Sequence, residues 1–444
     1  MLIRFILSNL FSFSEQKEFV MIPDAKFSKL GNHLYAFDGF DLLKMASIYG
    51  ANAAGKSNFI KSLALLQELV IEEKLPIRNT HYRFHQDTTQ LLAVEFMEGN
   101  QAFYYGLQFN NKQILTEELY RSGLGKIEDL LIFERTTNLE GKTILTFSSD
   151  FEQKVESQTL KDVLDGFTKP NETVFKLIAT KASKYLPITQ QAFYWFDNSL
   201  QIIMPEARPS ALTQKIDTDS NFKTYAENIM SAFQIGIESL RVEKKNVSEL
   251  DLNEENLESL LKKVDESTQK MIGYRSKKGE ILFVKENDDI FIKQIKLKHI
   301  GQDEISADFD LEDESDGTIR LLDFIPAFKD LITKNKVFII DEIERSIHPL
   351  LIKELVKKFS ESQTKGQLIF TTHESNLLDL SILREDEIWF TEKNKKASTD
   401  LYSLSSFKPH QIPDLEKGYL NGRYGAVPFL ANIQDLNWND YVSE

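Results

Sequence analysis

The 444-residue sequence contains no cysteine, which removes disulfides, thiolate zinc sites and cysteine nucleophiles from consideration and fits a cytoplasmic setting. No 18 apolar residues run together, so no membrane span is predicted. The opening apolar stretch, residues 1–7, is too short for an export signal and lacks a small-residue cleavage site; it reads as a first strand. Basic residues are in deficit: 53 Lys and Arg stand against 68 Asp and Glu, a net charge of −15. That balance argues against a protein whose main business is non-specific coating of nucleic acid, while leaving room for a local basic patch. Internal repeats, low-complexity tracts and sustained heptads are also missing, which excludes a long coiled coil.

What is present is a composition of 41% hydrophobic and 27% charged residues, enough for a sizeable core in two lobes or more. One motif dominates: Gly50-Ala51-Asn52-Ala53-Ala54-Gly55-Lys56-Ser57 is a complete G-x-x-x-x-G-K-S loop. Residues 45–49 before it read as a buried strand. Residues 58–70 after it carry Phe59, Ile60, Leu63, Leu66, Leu69 and Val70 at helical spacing. In that context Gly50, Asn52, Ala53, Ala54, Gly55, Lys56, Ser57 and Asn58 form the nucleotide-binding set. Backbone N–H groups and the helix N-terminus converge on phosphate oxygens, Lys56 reaches the β- and γ-phosphates, and the Ser57 hydroxyl ligates Mg²⁺. The competing reading is a glycine turn with a solvated lysine. A GTPase needs Asn-Lys-x-Asp, and neither Asn335-Lys336-Val337-Phe338 nor Asn394-Lys395-Lys396-Ala397 supplies the Asp, so ATP is the expected nucleotide.

The fold class expected is α/β, a P-loop NTPase with an antiparallel β lobe and a helical insertion. Residues 1–150 form an N-terminal lobe, with hairpin strands at 92–97, 102–109, 130–135 and 143–147. Residues 151–275 read as helical, including 257–268, and residues 276–444 as a C-terminal lobe that opens on strand signals at 280–284 and 290–298.

Within that last lobe, Val337-Phe338-Ile339-Ile340-Asp341-Glu342 is an apolar run ending in two acids, a Walker B pattern. Asp341 would hold Mg²⁺ and Glu342 would polarise the attacking water as catalytic base. Leu368-Ile369-Phe370-Thr371-Thr372-His373 is a second buried strand. It ends in a histidine able to hydrogen-bond a γ-phosphate, and the spacing after Walker B favours this over a structural histidine. Upstream, Ser315-Asp316-Gly317-Thr318 precedes an apolar helix. Alone it is a helix cap, but its position before Walker B makes Ser315 and Gly317 candidate phosphate contacts.

The order P-loop, Ser-x-Gly-Thr, Asp-Glu and switch His resembles the ABC-type ATPase heads of the SMC, RecF and overcoming-lysogenization-defect groups. The Gly50-x-Asn52-x-x-Gly55-Lys56-Ser57-Asn58 form and the early Asn9-Leu10-Phe11-Ser12-Phe13 are similar to those groups rather than to transporter heads. Two longer stretches, Asp341-Glu342-Ile343-Glu344-Arg345-Ser346-Ile347-His348-Pro349 and Gly418-Tyr419-Leu420-Asn421-Gly422-Arg423-Tyr424-Gly425-Ala426-Val427-Pro428, resemble the stand-alone ATPases of AbiL-type abortive-infection systems and the related PARIS defence ATPases. The resemblance implies a head-to-tail homodimer, or a higher oligomer, with ATP between heads and the P-loop of one copy facing Ser315 and Gly317 of another. The signature lacks the double glycine of transporter heads. The Mg²⁺-sensing glutamine of such heads falls to Gln86, the alternative being an exposed loop glutamine.

Two functions follow. In one the protein is a regulatory ATPase of an anti-phage system that restrains a separate Toprim-type nuclease and answers to a nucleic-acid or phage-protein trigger. In the other it is a RecF-like repair ATPase that clamps DNA in its ATP state. Long heptads around Cys-x-x-Cys, the mark of a zinc-hook repair ATPase, are absent, and no C-terminal acidic cluster suggests a fused nuclease.

Overall fold

The computed structural model describes residues 1–138, 140–209, 211–247, 254–267, 270–276, 279–287, 289–301, 304–407 and 414–427. Pro428 of the tail motif and residues 428–444 of the expected C-terminal lobe lie outside the described residues.

Strand β1 (Leu2–Ser8) buries Leu2, Ile3, Phe5 and Leu7, and pairs antiparallel with β2 (Lys17–Val20) on one side. A hairpin, β3 (Leu34–Phe37) with β4 (Phe40–Leu43), leads into β5 (Met45–Tyr49), whose five residues are all buried, and then into α1 (Lys56–Glu72). Four more antiparallel pairings follow, through β6 (Gln90–Glu98), β7 (Gln101–Phe109), β8 (Ile114–Arg121), β9 (Leu130–Thr137) and β10 (Thr143–Phe147). With β6 paired to β1, they complete a seven-stranded sheet of order β10-β9-β8-β7-β6-β1-β2.

The helices α2 (Ser149–Glu152), α3 (Val155–Phe167), α4 (Phe175–Lys181) and α5 (Pro187–Tyr194) close onto this sheet rather than forming a separate insertion. Aromatic stacking shows why. Trp195 lies 4.3 Å from Phe96, and Phe175 lies 5.0 Å from Tyr105, each ring removing apolar area worth about 1.5–3 kcal/mol. A turn at Trp195–Ser199 then delivers β11 (Leu200–Ile203).

A second compact unit, residues 205–333 with 344–355, contains α6 (Leu212–Thr218), α7 (Ser220–Ala232), β12 (Ile237–Asn246), α8 (Glu254–Glu266), β13 (Met271–Ser276), β14 (Gly279–Glu286), β15 (Asp289–Ile300), β16 (Ser306–Asp310) and α9 (Asp316–Thr333). Its antiparallel sheet runs β12-β15-β14-β13, with β16 also on β15. Leu240, Leu297, Leu322 and Ile325 share its core. Residues 237–246 are therefore strand, not helix as the sequence reading had it. Their apolar Ile237, Leu240 and Val242 sit among charges, and the pairing with β15 that orders them is a tertiary property.

The first unit, residues 1–204, 334–343 and 356–444, is completed by β17 (Val337–Ile340), β18 (Gln367–Thr371), β19 (Ile388–Lys393), β20 (Thr399–Ser403) and α11 (Leu415–Leu420). Helix α10 (Pro349–Glu361) lies between β17 and β18 in the chain. These strands join β5 and β11 in a six-stranded sheet, β11-β17-β18-β5-β19-β20, parallel throughout except for β20. Phe59 of α1 reaches Phe5 and Phe19 at 5.5 and 5.2 Å, and Phe19 reaches Trp389 at 4.8 Å. One helix thus cements both sheets of this unit into one core. The compact units cut the chain at points other than 150 and 275, because helices 155–194 bury their apolar faces on the first sheet while strands 271–300 join β12 in the sheet of the second unit.

Candidate functional site

The glycine loop leaves β5 between β18 and β19, at the C-terminal edge of the parallel sheet. Gly50 is required by close approach: a Cβ there would run into the hydroxyl and carbonyl of Thr391. Gly55 has φ +117°, and a Cβ would meet the Thr399 side chain. Ala53 also takes a left-handed φ of +62°. The start of α1 has no side-chain cap, so its first-turn N–H groups are those an anion would satisfy.

Lys56 is 5% exposed, and its Nζ donates to the carbonyls of Gly50 (2.8 Å) and Ala51 (3.2 Å). The same Nζ stands 3.5 Å from His373 Nδ1, so the loop lysine and the strand-end histidine meet at one point. Asn58, placed by sequence in the nucleotide-binding set, donates its Nδ2 to Ser12 Oγ (2.9 Å). Thr399 Oγ1 lies 2.8 Å from the same hydroxyl and 2.9 Å from Ala54 O. The early Asn-Leu-Phe-Ser-Phe segment is thereby pinned to the loop and to α1. From the tail, Tyr419 and Tyr424 stack near Phe390 of β19 at 5.8 and 6.0 Å, and Tyr419 meets Tyr49, the residue before Gly50, at 5.9 Å.

Two strands away, β17 delivers Asp341 and Glu342. Asp341 is 1% exposed and its N–H donates to Ile203 O (2.9 Å). Its Oδ1 accepts from Thr371 Oγ1 (2.6 Å), while its Oδ2 is buried without a hydrogen-bond partner among the described residues. Glu342 has a left-handed φ of +52°, rare for a residue with a side chain, and its N–H donates to the same Thr371 Oγ1 (2.8 Å). Thr371 therefore positions both acids, and sequence reasoning assigned it nothing. The signal lay in its place two residues before His373. Thr371→Val should leave Asp341 Oδ1 and Glu342 N–H short of a partner and lower unfolding free energy by about 2 kcal/mol. Thr371→Ser should keep most of it, as urea unfolding of the two variants would show.

An orphaned, buried carboxylate oxygen is what a divalent cation would satisfy, so Asp341 fits Mg²⁺ chemistry. Among the described residues no cluster of three or more His, Asp and Glu could hold a metal by itself.

Gln86 is exposed. Its loop is tied down by Asn9, whose Nδ2 donates to Asp87 O and Thr89 O at 2.8 Å each and whose Oδ1 lies 3.0 Å from His85 Nδ1. Ser315 and Gly317 belong to the second unit. There Ser315 Oγ caps α9 by accepting from Thr318 N–H (3.1 Å), and a Cβ on Gly317 would lie 2.6 Å from Ser346 O.

A family model described as "AAA domain, putative AbiEii toxin, Type IV TA system" matches residues 45–160 and 187–379. No curated protein matches the sequence. Among solved structures the chain is similar to the SMC head domain from Thermotoga maritima, at 11% identity and a TM-score of 0.39, covering 90% of this chain and 98% of that one. It is also similar to an Smc head domain with an extended coiled coil bound to the C-terminal domain of ScpA, derived from Pyrococcus furiosus, at 11% identity and a TM-score of 0.41, covering 95% and 98%. Among the described residues no helix is long and apolar enough to cross a membrane.

Proposed function

Because the chain belongs to the family described as AAA domain, putative AbiEii toxin, Type IV TA system, we propose that it binds and hydrolyses ATP as the regulatory ATPase of an anti-phage system. Its fold is the α/β head of an ABC-type P-loop ATPase. The observation that supports hydrolysis best is the pair of acids on Thr371: a buried Asp341 with one unclaimed oxygen, followed by a Glu342 in a strained backbone. Parallel pairing of β17, β18 and β5 sets these acids two strands from the glycine loop, roughly 10 Å at the usual spacing.

In this reading the N–H groups of the loop and of the first turn of α1 wrap the phosphates, and Lys56 neutralises the terminal two. Ser57 and Asp341 hold Mg²⁺, which when bound offsets phosphate charge. Glu342 accepts the proton of the attacking water, and His373, at Lys56 Nζ, hydrogen-bonds the γ-phosphate. Gln86 is proposed as the sensor on the Asn9-anchored loop. The second half of each site comes from another copy in a head-to-tail homodimer or higher oligomer, through Ser315 and Gly317. The effector is a separate Toprim-type nuclease, released by a nucleic-acid or phage-protein trigger. Co-purification from the native operon with sizing by light scattering tests the assembly: a lone monomer with full ATPase activity would sink it.

The trans contact needs a variant that does not disturb the fold. Any side chain at Gly317 strikes Ser346 O, so Gly317→Asp mixes steric damage with charge. Ser315 is exposed, and Asp is as good a helix cap as Ser, so Ser315→Asp keeps the bond from Thr318 N–H and adds only a negative charge. In a sandwich that charge opposes the γ-phosphate, and turnover should fall about tenfold with unchanged thermal stability. Normal turnover in this variant leaves Ser315 as a cap alone.

A further inference from the structure

The tail segment 414–427 docks on β19 and β20 through its own residues. Leu415, Tyr419, Tyr424 and Ala426 are buried, and Phe390 of β19 stacks on both tyrosines. Tyr419 Oη donates to Ala426 O (3.2 Å) and Tyr402 Oη to Tyr424 O (2.8 Å). Gly425, at φ +67°, runs so close to the strands that a Cβ would lie 2.6 Å from Glu392 Oε2 and 2.7 Å from Tyr402 Oη. Apolar burial and these bonds hold the tail without help from Glu416.

Glu416 stands in the first turn of α11, where an acid also suits the helix dipole. Its carboxylate nonetheless reaches out of the tail: Oε1 accepts from Ser375 Oγ at 2.7 Å, the length of a charge-assisted hydroxyl–carboxylate bond. Ser375 lies two residues beyond His373. His373 is exposed, so its direction is set mainly by the backbone on either side. Before it, Thr372 N–H donates to Ile48 O (3.1 Å), and Thr372 Oγ1 accepts from Glu374 N–H (3.0 Å). After it comes the short turn Ser375–Leu377, whose last residue is buried in the core and whose first is the one Glu416 holds. The tail thus reaches the site at two places, with Tyr419 against Tyr49 ahead of the glycine loop and Glu416 against the segment that follows the histidine.

We propose that Glu416 is a positioning residue for ATP hydrolysis: through Ser375 it fixes the backbone that aims His373 at the γ-phosphate, which makes a docked tail a condition of full turnover. This rests on the γ-phosphate contact proposed for His373. Its Nδ1 lies 3.5 Å from Lys56 Nζ, at the outer limit of a hydrogen bond. A displacement of about 1 Å in a group that acts by placement costs on the order of 10²-fold in rate. The same bond gives a route by which anything that lifts the tail from Phe390 slows the ATPase without touching nucleotide.

Steady-state ATPase assays on the full-length protein, with thermal melts to follow folding, provide the test. Glu416→Ala and Ser375→Ala should each lower kcat about tenfold and leave KM within about twofold of wild type, because placement is lost while the glycine loop still binds nucleotide. The two changes together should cost no more than either alone, since both remove one bond. Glu416→Gln, whose amide oxygen still accepts from Ser375, should recover most of the turnover. In a His373→Ala background Glu416→Ala should cost nothing further, a result that a merely structural tail contact would not produce. An additive loss in that background, or wild-type kcat in Glu416→Ala, overturns the proposal and leaves the ATPase reading standing. No turnover by the wild-type protein, or no effect of His373→Ala, removes that reading and the role of Glu416 with it.

Discussion

Lys56→Ala is expected to lower ATP affinity by on the order of 10³-fold, since its ammonium would supply charge-assisted hydrogen bonds to two phosphates at about 1.5–3 kcal/mol each. In the structure this ammonium is buried, held by two loop carbonyls and poised at His373, so the side chain is already ordered where the phosphates would lie. Alanine removes the charge and leaves Gly50 O and Ala51 O without that donor. Lys56→Arg separates the two roles, because it restores charge but not shape and should recover only part of the affinity. Calorimetric titration with ATP and Mg²⁺, alongside a thermal melt to confirm folding, reads both variants. Wild-type affinity in the alanine variant would remove the central assignment of the glycine loop.

Glu342→Gln should cut turnover by on the order of 10³-fold while ATP still binds, because an amide positions water but cannot take its proton. The substitution is clean. Glutamine has the same length, keeps the N–H that donates to Thr371 Oγ1, and inherits the same left-handed backbone. Neighbouring Asp341 retains its bond to Thr371, so metal-dependent nucleotide binding should change little. Single-turnover assays separate chemistry from release. Turnover within a few-fold of wild type would point to another base.

The glycine loop, both motif strands and the hairpins at β6, β7, β9 and β10 were legible because each carries a local signal: fixed spacing, an unbroken apolar run, or alternation between turns. Strand β8 was not, since Glu117 and Glu118 interrupt its apolar pattern. Glu117 is nonetheless fully buried, where it accepts from Val174 N–H, Phe175 N–H and Tyr105 Oη, and desolvation raises its carboxyl above the usual range. Those partners lie up to 58 residues away, so no local window contains them. The supporting shell of the site was hidden for the same reason. Thr371, Thr391, Thr399 and Ser12 are small polar residues of no distinctive pattern, and they acquire meaning only when β5, β18, β19 and β20 are side by side. Division of the middle of the chain failed differently: helical periodicity in 155–194 was read correctly, but nothing in it tells which surface those helices cover.

The placement of β5 in its sheet also bears on biosynthesis. Its neighbours β18 and β19 enter the chain far later, with Met45 opposite Leu368 and Ser47 opposite Ile388, gaps of 323 and 341 residues. At a ribosomal pace of about 5–20 residues per second, the glycine loop leaves the exit tunnel and then waits roughly 20–70 s for the strands that frame it. Thr391 and Thr399, which crowd Gly50 and Gly55 into shape, arrive in the same late stretch. A nascent chain stalled before residue 367 should therefore ignore nucleotide altogether, so that ATP responsiveness is acquired only once the residues through Thr399 have emerged.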